Sequence, residues 1–443
     1  MSKITLKQTI KYSALDAEYY VYETEAGLQI LLYPMPEVSG AYALFGTKYG
    51  SVDVEFKRVP FDKGGAVKSV EQLPDGIAHY LEHKLFESAD ENGKAADAFR
   101  LFAKTGANAN AYTSFDRTAY LFSSDADTFY DNLRILLGFV QDPYFTEENV
   151  AKEQGIIGQE INMYRDDPGW RVFFNCLQGV YHNNPVRRDI AGTVESIAEI
   201  TPELLYECYN TFYSQGNMLL SLAGNIDPEK TIALCEELLK DPSEKFTVEH
   251  APYDEPKNVR TAYTEEKLPC AFPLYQLGFK LPVEVEKSKA AYDTDVQLSL
   301  LLDILFGELT TWYDTNFESG LINAQFSADV FSGRGFLLPI VSGECETPEK
   351  VKDAVIAEIK NVQANGFTDE HKELFELLRK STYGGLVNAL SSPQSVAGVM
   401  LEAHILGKDF FSKAETIKRL TIETLFDTLK MIETDNYALS VVK

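Results

Sequence analysis

Residues 75–83 read Asp75-Gly76-Ile77-Ala78-His79-Tyr80-Leu81-Glu82-His83, with two histidines four positions apart and a glutamate just before the second. The apolar stripe of Ile77, Leu81 and Leu85 predicts a helix over 75–88, with Asp75 as its cap. Positions i and i+4 share one face of a helix, so both imidazoles can bind one metal ion. Glu82 lies on an adjoining part of that face, from which it can act on a water at the metal. The alternative interpretation is a surface helix with two unconnected histidines.

A catalytic zinc site of this kind needs a third protein ligand. The best candidate segment is a predicted helix over 146–164, for which Thr146 is a suitable cap. Glu153 and Glu160 lie seven residues apart, so they project from nearly the same face of that helix. One of them can bind zinc while the other supports the ligand set. An ordinary solvated acidic face explains the same residues equally well.

The segment from Gly76 to Phe86 resembles the inverted zinc motif of the insulinase/pitrilysin family of metallopeptidases. In that family the third ligand is a glutamate about 76 residues after the second histidine. The resemblance therefore implies one zinc ion per chain, bound by His79, His83 and Glu160. It also implies that Glu153 orients a zinc-binding histidine; if Glu153 is only a solvated acid, its loss should be nearly silent. Further segments that resemble the family lie at 49–51, before the motif, and at 110–113, 189–197 and 217–225, after it.

A polar stretch rich in proline and charge separates two halves of the chain. It predicts a first domain over 1–240, a linker over 241–258 and a second domain over 259–443. Periodicity alone supports only a mixed α and β fold. The resemblance implies an α+β fold of two homologous α/β rolls, each a mostly antiparallel sheet backed by helices, arranged as one half of a clamshell. Only the first roll carries the metal motif.

Local patterns predict the following elements. Alternation predicts strands at 18–23, 28–33, 41–46, 117–123, 274–279 and 335–342. Helical periodicity predicts helices at 75–88, 94–105, 126–140, 146–164, 194–213, 228–240, 290–307, 348–365, 368–391 and 413–430.

The composition is that of a folded globular chain, with 443 residues of which 45% are hydrophobic and 12% aromatic. A net charge of −26 argues against nucleic acid or an anionic membrane as a partner. No apolar run reaches transmembrane length, so membrane insertion is not expected. The amino terminus lacks the apolar stretch of a signal peptide, and the five scattered cysteines are typical of reduced thiols, so we expect a cytoplasmic protein.

The family resemblance also implies an activity and a substrate-binding strand. Asn110-Ala111-Tyr112-Thr113 resembles the edge strand with which the family binds extended peptide backbone, although a plain strand start explains these residues equally well. The implied function is that of a zinc-dependent endopeptidase that hydrolyses peptides in an enclosed chamber. Glu82 would be the general base on the zinc-bound water.

One departure from the family concerns the partners of the chain. Catalytic members usually carry an Arg and a Tyr seven residues apart in the second half, where this chain has Asn316 and Asn323. The resemblance therefore implies a heterodimer with a related, zinc-free chain that supplies the Arg and Tyr, and a homodimer is also possible. The alternative function is a non-catalytic peptide-binding or assembly subunit, and a metal-dependent amidase of another kind is a third.

Overall fold

The computed structural model describes residues 3–60, 68–70, 72–89, 95–240, 246–250 and 253–443. Within these residues the strands form a seven-stranded sheet, a five-stranded sheet and two small sheets of three and two strands. Helices pack on the two larger sheets. Nowhere in these ranges is a helix both long and apolar enough to cross a membrane.

Most strands of the larger sheets are rich in β-branched, aromatic and aliphatic residues, which pack well on a pleated surface. In chain order the strands are β1 (Ile4–Tyr12), β2 (Ala17–Thr24), β3 (Gln29–Pro34), β4 (Gly40–Thr47), β5 (Phe56–Pro60), β6 (Lys68–Val70), β7 (Glu87–Ala89), β8 (Ala95–Asp97), β9 (Asn108–Thr113), β10 (Thr118–Asp125), β11 (Met218–Gly224), β12 (Phe246–His250), β13 (Tyr263–Glu266), β14 (Leu274–Phe279), β15 (Ser327–Gly333), β16 (Phe336–Glu344) and β17 (Tyr437–Val442).

Several helices begin where a capping side chain precedes a proline. Asp167, Thr201, Asp227 and Ser392 each accept a hydrogen bond from the backbone N–H three residues later, and the proline fits the first helical position. In chain order the α-helices are α1 (Ile77–Leu85), α2 (Ala98–Thr105), α3 (Phe129–Val140), α4 (Glu147–Arg165), α5 (Pro168–Val180), α6 (Val194–Ile197), α7 (Pro202–Phe212), α8 (Pro228–Leu238), α9 (Val283–Glu286), α10 (Ala291–Phe306), α11 (Thr311–Glu318), α12 (Pro348–Asn365), α13 (Asp369–Ala389), α14 (Pro393–Ile405), α15 (Ser412–Arg419) and α16 (Ile422–Leu429).

The seven-stranded sheet has the order β1-β2-β3-β11-β4-β10-β9. β11 runs parallel to β3 and antiparallel to β4, and all of its residues are buried. A continuous buried run of this kind is typical of a strand that is covered on both faces. β9 lies at one edge of the sheet, so among the described residues one side of its backbone has no strand partner.

The five-stranded sheet, of order β13-β17-β14-β16-β15, repeats the pairing pattern of the first. β17 runs parallel to β13 and antiparallel to β14, and β16 and β15 continue antiparallel, as β10 and β9 do after β4. β15 therefore occupies the edge position that corresponds to β9. The predicted α+β class, with two similar sheets backed by helices, is confirmed.

The chain divides into two compact units whose bounds differ from the predicted domains. The first unit comprises Met1–Ile161, Asp189–Pro252 and Val387–Phe411, and the second comprises Asn162–Arg188, Tyr253–Leu386 and Ser412–Lys443. Thus α5 packs on β14 and β17 of the second unit, and α14 packs on β4 and β11 of the first. Division by sequence assigns both helices to the other unit, because a local pattern predicts a helix but not the sheet that it covers.

Four predicted helices differ from the observed elements. The predicted range 75–88 runs into β7, since α1 ends at Leu85 and β7 begins at Glu87. Capping residues interrupt the other three. The range 194–213 contains α6 and α7, since Thr201 caps a new helix at Pro202. The range 413–430 contains α15 and α16, since Thr421 caps the second of them. In the range 94–105, β8 precedes α2, whose cap is Asp97. Position 94 lies outside the described residues, and α5, α9, α11 and α14 are absent from the predicted set.

Candidate metal centre

A close contact between two glycine-containing turns fixes the start of α1. Gly76 has φ 91°, and a Cβ atom there would lie 2.4 Å from the carbonyl oxygen of Ala191. Gly192 has φ 75°, and its Cβ would lie 2.3 Å from the oxygen of Asp75. The hydroxyl of Ser196 donates a hydrogen bond of 2.7 Å to that same oxygen. The segment 189–197, noted in the sequence as a family mark, thus holds the entry to α1 in place.

The predicted cap of α1 is wrong. The N-cap position is occupied by Gly76 in a left-handed conformation, and it makes no side-chain cap bond. Glycine adopts a left-handed backbone at little cost, which suits Gly76 to this position. Asp75 lies one residue earlier, where its carbonyl oxygen accepts the hydrogen bond from Ser196. The predicted apolar stripe is confirmed, because Ile77, Leu81 and Leu85 are all buried.

The second helix of the site, α4, is fixed at its start and along its buried face. Thr146 accepts a hydrogen bond of 3.2 Å from the backbone N–H of Asn149, which confirms it as the cap. The hydroxyl of Tyr80 on α1 donates to the carbonyl oxygen of Val150 and so ties the two helices together. Glu153 is buried on this face of α4, and Glu160 is half-buried two turns further along.

The two helices bring His79, His83 and Glu160 around one point. The Nε2 atom of His79 lies 3.7 Å from one oxygen of Glu160, and the Nε2 atom of His83 lies 3.6 Å from the other. One ligand atom from each residue lies within 4.8 Å of the others. In the part of the chain that the structure describes, no other group of three or more His, Cys, Asp or Glu side chains is arranged in this way.

These distances fit a shared zinc ion. Two ligands bound to zinc at about 2.0–2.1 Å with tetrahedral angles are separated by about 3.4 Å, close to the observed spacings. The same spacings are too long for hydrogen bonds between imidazole and carboxylate. Two imidazoles and one carboxylate also leave a fourth position for water, as in catalytic zinc sites.

Burial determines the protonation of the two histidines differently. Burial, together with the neighbouring His83, lowers the pKa of His79 to about 4, so His79 is neutral and able to bind a metal ion. Burial also acts to lower the pKa of His83, but the hydrogen bond to Glu153 and the charges of Glu82 and Glu160 outweigh it, and the net shift is upward. The carboxylates around His83 therefore stabilise a positive charge at this position.

Glu153 is placed to orient His83. One of its oxygens lies 3.1 Å from Nδ1 of His83, which leaves Nε2 directed at Glu160. Burial acts to raise the pKa of Glu153, but the hydrogen bond from His83 and the nearby charges of His83, Lys84 and Lys152 together outweigh it, and the net shift is downward. A carboxylate that fixes the ring and tautomer of a metal-binding histidine is common at zinc sites.

Glu82 is held by the edge strand. The hydroxyl of Thr113 donates a hydrogen bond of 2.6 Å to Glu82, and the backbone N–H of Thr113 also donates to it. Burial raises the pKa of Glu82, and the bonds from Thr113 offset only part of that rise. Glu82 thus lies beside the ligand set but is held by β9, in a position suited to proton transfer.

The other residues of the predicted substrate strand line the open edge. Asn110 and Tyr112 are exposed, whereas Ala111 is half-buried. The side-chain oxygen of Asn110 accepts a hydrogen bond of 2.9 Å from the backbone N–H of Ala111. That N–H belongs to the side of the strand that faces away from β10, so Asn110 covers a backbone donor that an added strand would use.

Sequence reasoning missed Lys84, which is fully buried beside the metal ligands. A signal was present, because position 84 lies seven residues after Ile77 and so falls on the buried face of α1. A charged residue on an apolar stripe marks a buried ion pair. Sequence reasoning also missed that Thr113 binds the carboxylate of Glu82, since that contact joins residues far apart in the chain.

Asn316 and Asn323 lie in the second unit and make local hydrogen bonds. The amide nitrogen of Asn316 donates to the carbonyl oxygen of Trp312 at 2.7 Å, within α11. The amide nitrogen of Asn323 donates to Glu344 at 3.0 Å. Their amide groups are thus bonded within the second unit.

Two family models and two named relatives match this chain. The family described as Insulinase (Peptidase family M16) matches residues 66–194, and Peptidase M16 inactive domain matches residues 199–375. A Bacillus subtilis protein named Uncharacterized zinc protease YmfH is 38% identical over 95% of each chain. Uncharacterized zinc protease YmxG, also of Bacillus subtilis, is 24% identical over 83% of this chain and 88% of its own.

Solved structures of peptidases also resemble this chain. An M16-like peptidase from Alicyclobacillus acidocaldarius has a TM-score of 0.87 and 31% identity, and the match covers 98% of this chain and 99% of its own. A protease from Helicobacter pylori has a TM-score of 0.80 at 18% identity over 96% of this chain and 99% of its own, which shows the fold alone.

The fold, with α1 and α4 side by side, and the named relatives both point to the class of zinc proteases. This chain belongs to the insulinase family, peptidase family M16, as the sequence resemblance predicted. Its second half matches a domain described as inactive, in agreement with the position of the metal motif in the first half. The roles of the individual site residues stay predictions.

Proposed function

We propose that this protein is a zinc-dependent endopeptidase in which Glu82 transfers the proton. The main support for this proposal is the position of the Glu82 carboxylate. Glu82 is one residue from the ligand His83, and Thr113 holds it at the end of the open edge of β9. A peptide that pairs along β9 would therefore have its backbone next to Glu82.

Each residue of the site has a separate task in this reaction. Zinc held by His79, His83 and Glu160 would activate a water molecule and polarise the scissile carbonyl. Glu82 accepts a proton from the attacking water and passes it to the nitrogen of the leaving amine. Burial raises the pKa of Glu82, which suits a group that must both accept and return a proton near neutral pH.

The proposed substrate is an extended peptide recognised mainly by its backbone. β9 offers an open edge, and strand addition gives affinity with little demand on sequence. Asn110 would exchange its bond to Ala111 for a bond to the peptide. Exposed Tyr112 would lie beside the added strand. Substrates short or flexible enough to enter an enclosed chamber fit this mode of binding.

A related, zinc-free chain completes the proposed enzyme. The amides of Asn316 and Asn323, at positions where the family resemblance implies Arg and Tyr, are bonded to neighbours in the second unit. A partner chain would supply the missing guanidinium and phenol for substrate binding. A homodimer active by itself would overturn this part of the proposal. We also propose a cytoplasmic location, since all five cysteines are free, and cell fractionation would test it.

The decisive experiment measures cleavage of a mixed peptide pool by mass spectrometry, with the protein purified natively so that any partner stays bound. Glu82→Gln should lose about 100-fold or more of the activity and keep its zinc. Glu148→Gln, which changes an exposed carboxylate of α4, is the matched control and should keep full activity. Equal cleavage by wild type and Glu82→Gln would refute the role of Glu82. A zinc-containing wild type that binds peptides without cutting them would favour the non-catalytic alternative.

A further inference from the structure

We propose that Lys84 is a positioning residue that fixes Glu153, and through it His83, for metal binding. This inference rests on the proposed function only in taking His79, His83 and Glu160 as the zinc ligands. It assigns a role to a side chain that is not one of the three proposed ligands.

Lys84 is fully buried on α1, next to His83 in the chain. An ammonium group taken out of water is costly unless carboxylates compensate it. Its Nζ atom donates a hydrogen bond of 2.6 Å to Glu87 and lies 4.0 Å from one oxygen of Glu153. The ammonium group therefore lies between two carboxylates.

Glu153 lies between His83 and Lys84. Its Oε1 atom accepts the hydrogen bond from Nδ1 of His83, and its Oε2 atom is the one that faces Lys84. A buried carboxylate needs partners for both oxygens if it is to keep one orientation. Lys84 supplies the charge on the side away from His83, and Glu87 holds Lys84 in place.

The arrangement forms a line of four groups in the order Glu87, Lys84, Glu153 and His83. Without the ammonium group, Glu87 and Glu153 would repel each other across a buried space. Glu153 would then lose its fixed orientation, and the ring of His83 would be free to turn. Loss of a partner that orients a metal-binding histidine typically costs about 10- to 100-fold in metal affinity.

The test measures zinc affinity of the full-length protein by competition with a chromophoric chelator, independently of peptidase activity. Lys84→Met should bind zinc about 10- to 100-fold more weakly than wild type. Lys152→Met is the matched control, because Lys152 lies 3.8 Å from the same Glu87 but is largely exposed. Its zinc affinity should stay within about twofold of wild type.

A double-mutant cycle separates positioning from a general structural role. In a Glu153→Gln background, Lys84→Met should change zinc affinity by less than about twofold, because its effect passes through Glu153. An equal loss in both backgrounds, or wild-type affinity in folded Lys84→Met, would overturn the inference. Should Lys84→Met fail to fold, Lys84→Gln, which is also uncharged but keeps a donor for Glu87, is tested by the same cycle. Absence of zinc binding by wild type would instead refute the proposed metal site.

Discussion

The two large sheets share strand order and pairing sense, yet the helices that precede their edge strands differ in chemistry. α1 presents His79, Glu82 and His83 close to β9, whereas α10, at the corresponding place before β15, buries mainly aliphatic side chains in the core of its unit. In the described residues the candidate metal-binding set belongs to the first unit. The scaffold is therefore common to both units, and a few side chains on two helices distinguish the unit with the candidate metal centre.

Separating the two halves of the sequence tests whether the first sheet can fold without a helix from the second half. A fragment of residues 1–240 lacks α14, which covers β4 and β11, so it should not fold. α14 contributes six buried side chains, worth on the order of 10 kcal/mol, which matches the whole stability of many domains. Circular dichroism and urea titration measure the effect.

The matched control for that fragment is its co-expression with residues 241–443. Together the fragments contain every segment of both units, so they should form a folded complex. A cooperative unfolding transition for residues 1–240 alone would contradict the prediction.

The next comparison removes one glutamate from the long helix of each unit. Glu160→Gln on α4 removes a proposed ligand, so zinc affinity should fall by more than the roughly 10- to 100-fold typical of an orienting partner. Glu373→Gln on α13 changes an exposed residue of the second unit and should leave zinc affinity unchanged. Chelator competition measures both, and similar affinities for the two variants would rule out Glu160 as a ligand.

Glycine substitutions compare how tightly each unit holds its turns. Gly76→Ala combines a left-handed backbone with overlap against Ala191, and should cost about 3 kcal/mol of folding stability. Gly320 has φ 73°, but a Cβ atom there would have no described neighbour within 4 Å, so Gly320→Ala should cost only about 1–2 kcal/mol. Urea denaturation measures both changes in folding stability. An equal loss of stability at both sites would show that the close approach at Gly76 is unimportant.

The two units should also differ in how their folding stability depends on pH. Burial lowers the pKa of His404 in the first unit to about 4, so the unfolded chain binds more protons than the folded chain between about pH 4 and 6.5. Stability is therefore lost as the pH falls through that window, by about 2 kcal/mol at pH 5. His404→Gln should remove this loss, as measured by urea denaturation with a chelator present.

His371 in the second unit is the internal control for that measurement. Burial lowers its pKa too, but the charges of Glu358 and Glu370 act in the opposite direction. His371→Gln should therefore flatten the pH dependence less than His404→Gln does. A larger effect at His371 than at His404 would contradict this prediction.

The parts of the molecule that sequence alone predicted are those defined by local spacing. The histidine pair, the two glutamates of α4 and the alternation of the main strands all depend on periods of a few residues. The position of β9 at a sheet edge was expected from the family resemblance, and the structure agrees with it.

The features that sequence reasoning missed depend on contacts between distant segments. Nothing local in 168–180 or 393–405 tells which sheet each helix covers, so the predicted domain bounds followed the linker instead. The close approach of Gly76 to Ala191 and the bond between Thr113 and Glu82 likewise join residues that are far apart in the chain. Lys84 was visible on the apolar stripe of α1, but its meaning required the position of Glu153.

The exchange of α5 and α14 between the sequence halves has a consequence for protein synthesis. The first unit is complete only when residues 387–411 have left the ribosome, after most of the second unit has been synthesised. Translation that stops earlier leaves the histidine-bearing helix on a sheet that lacks part of its cover. The proposed peptidase activity should therefore require synthesis beyond residue 411, and chains that terminate earlier should be inactive.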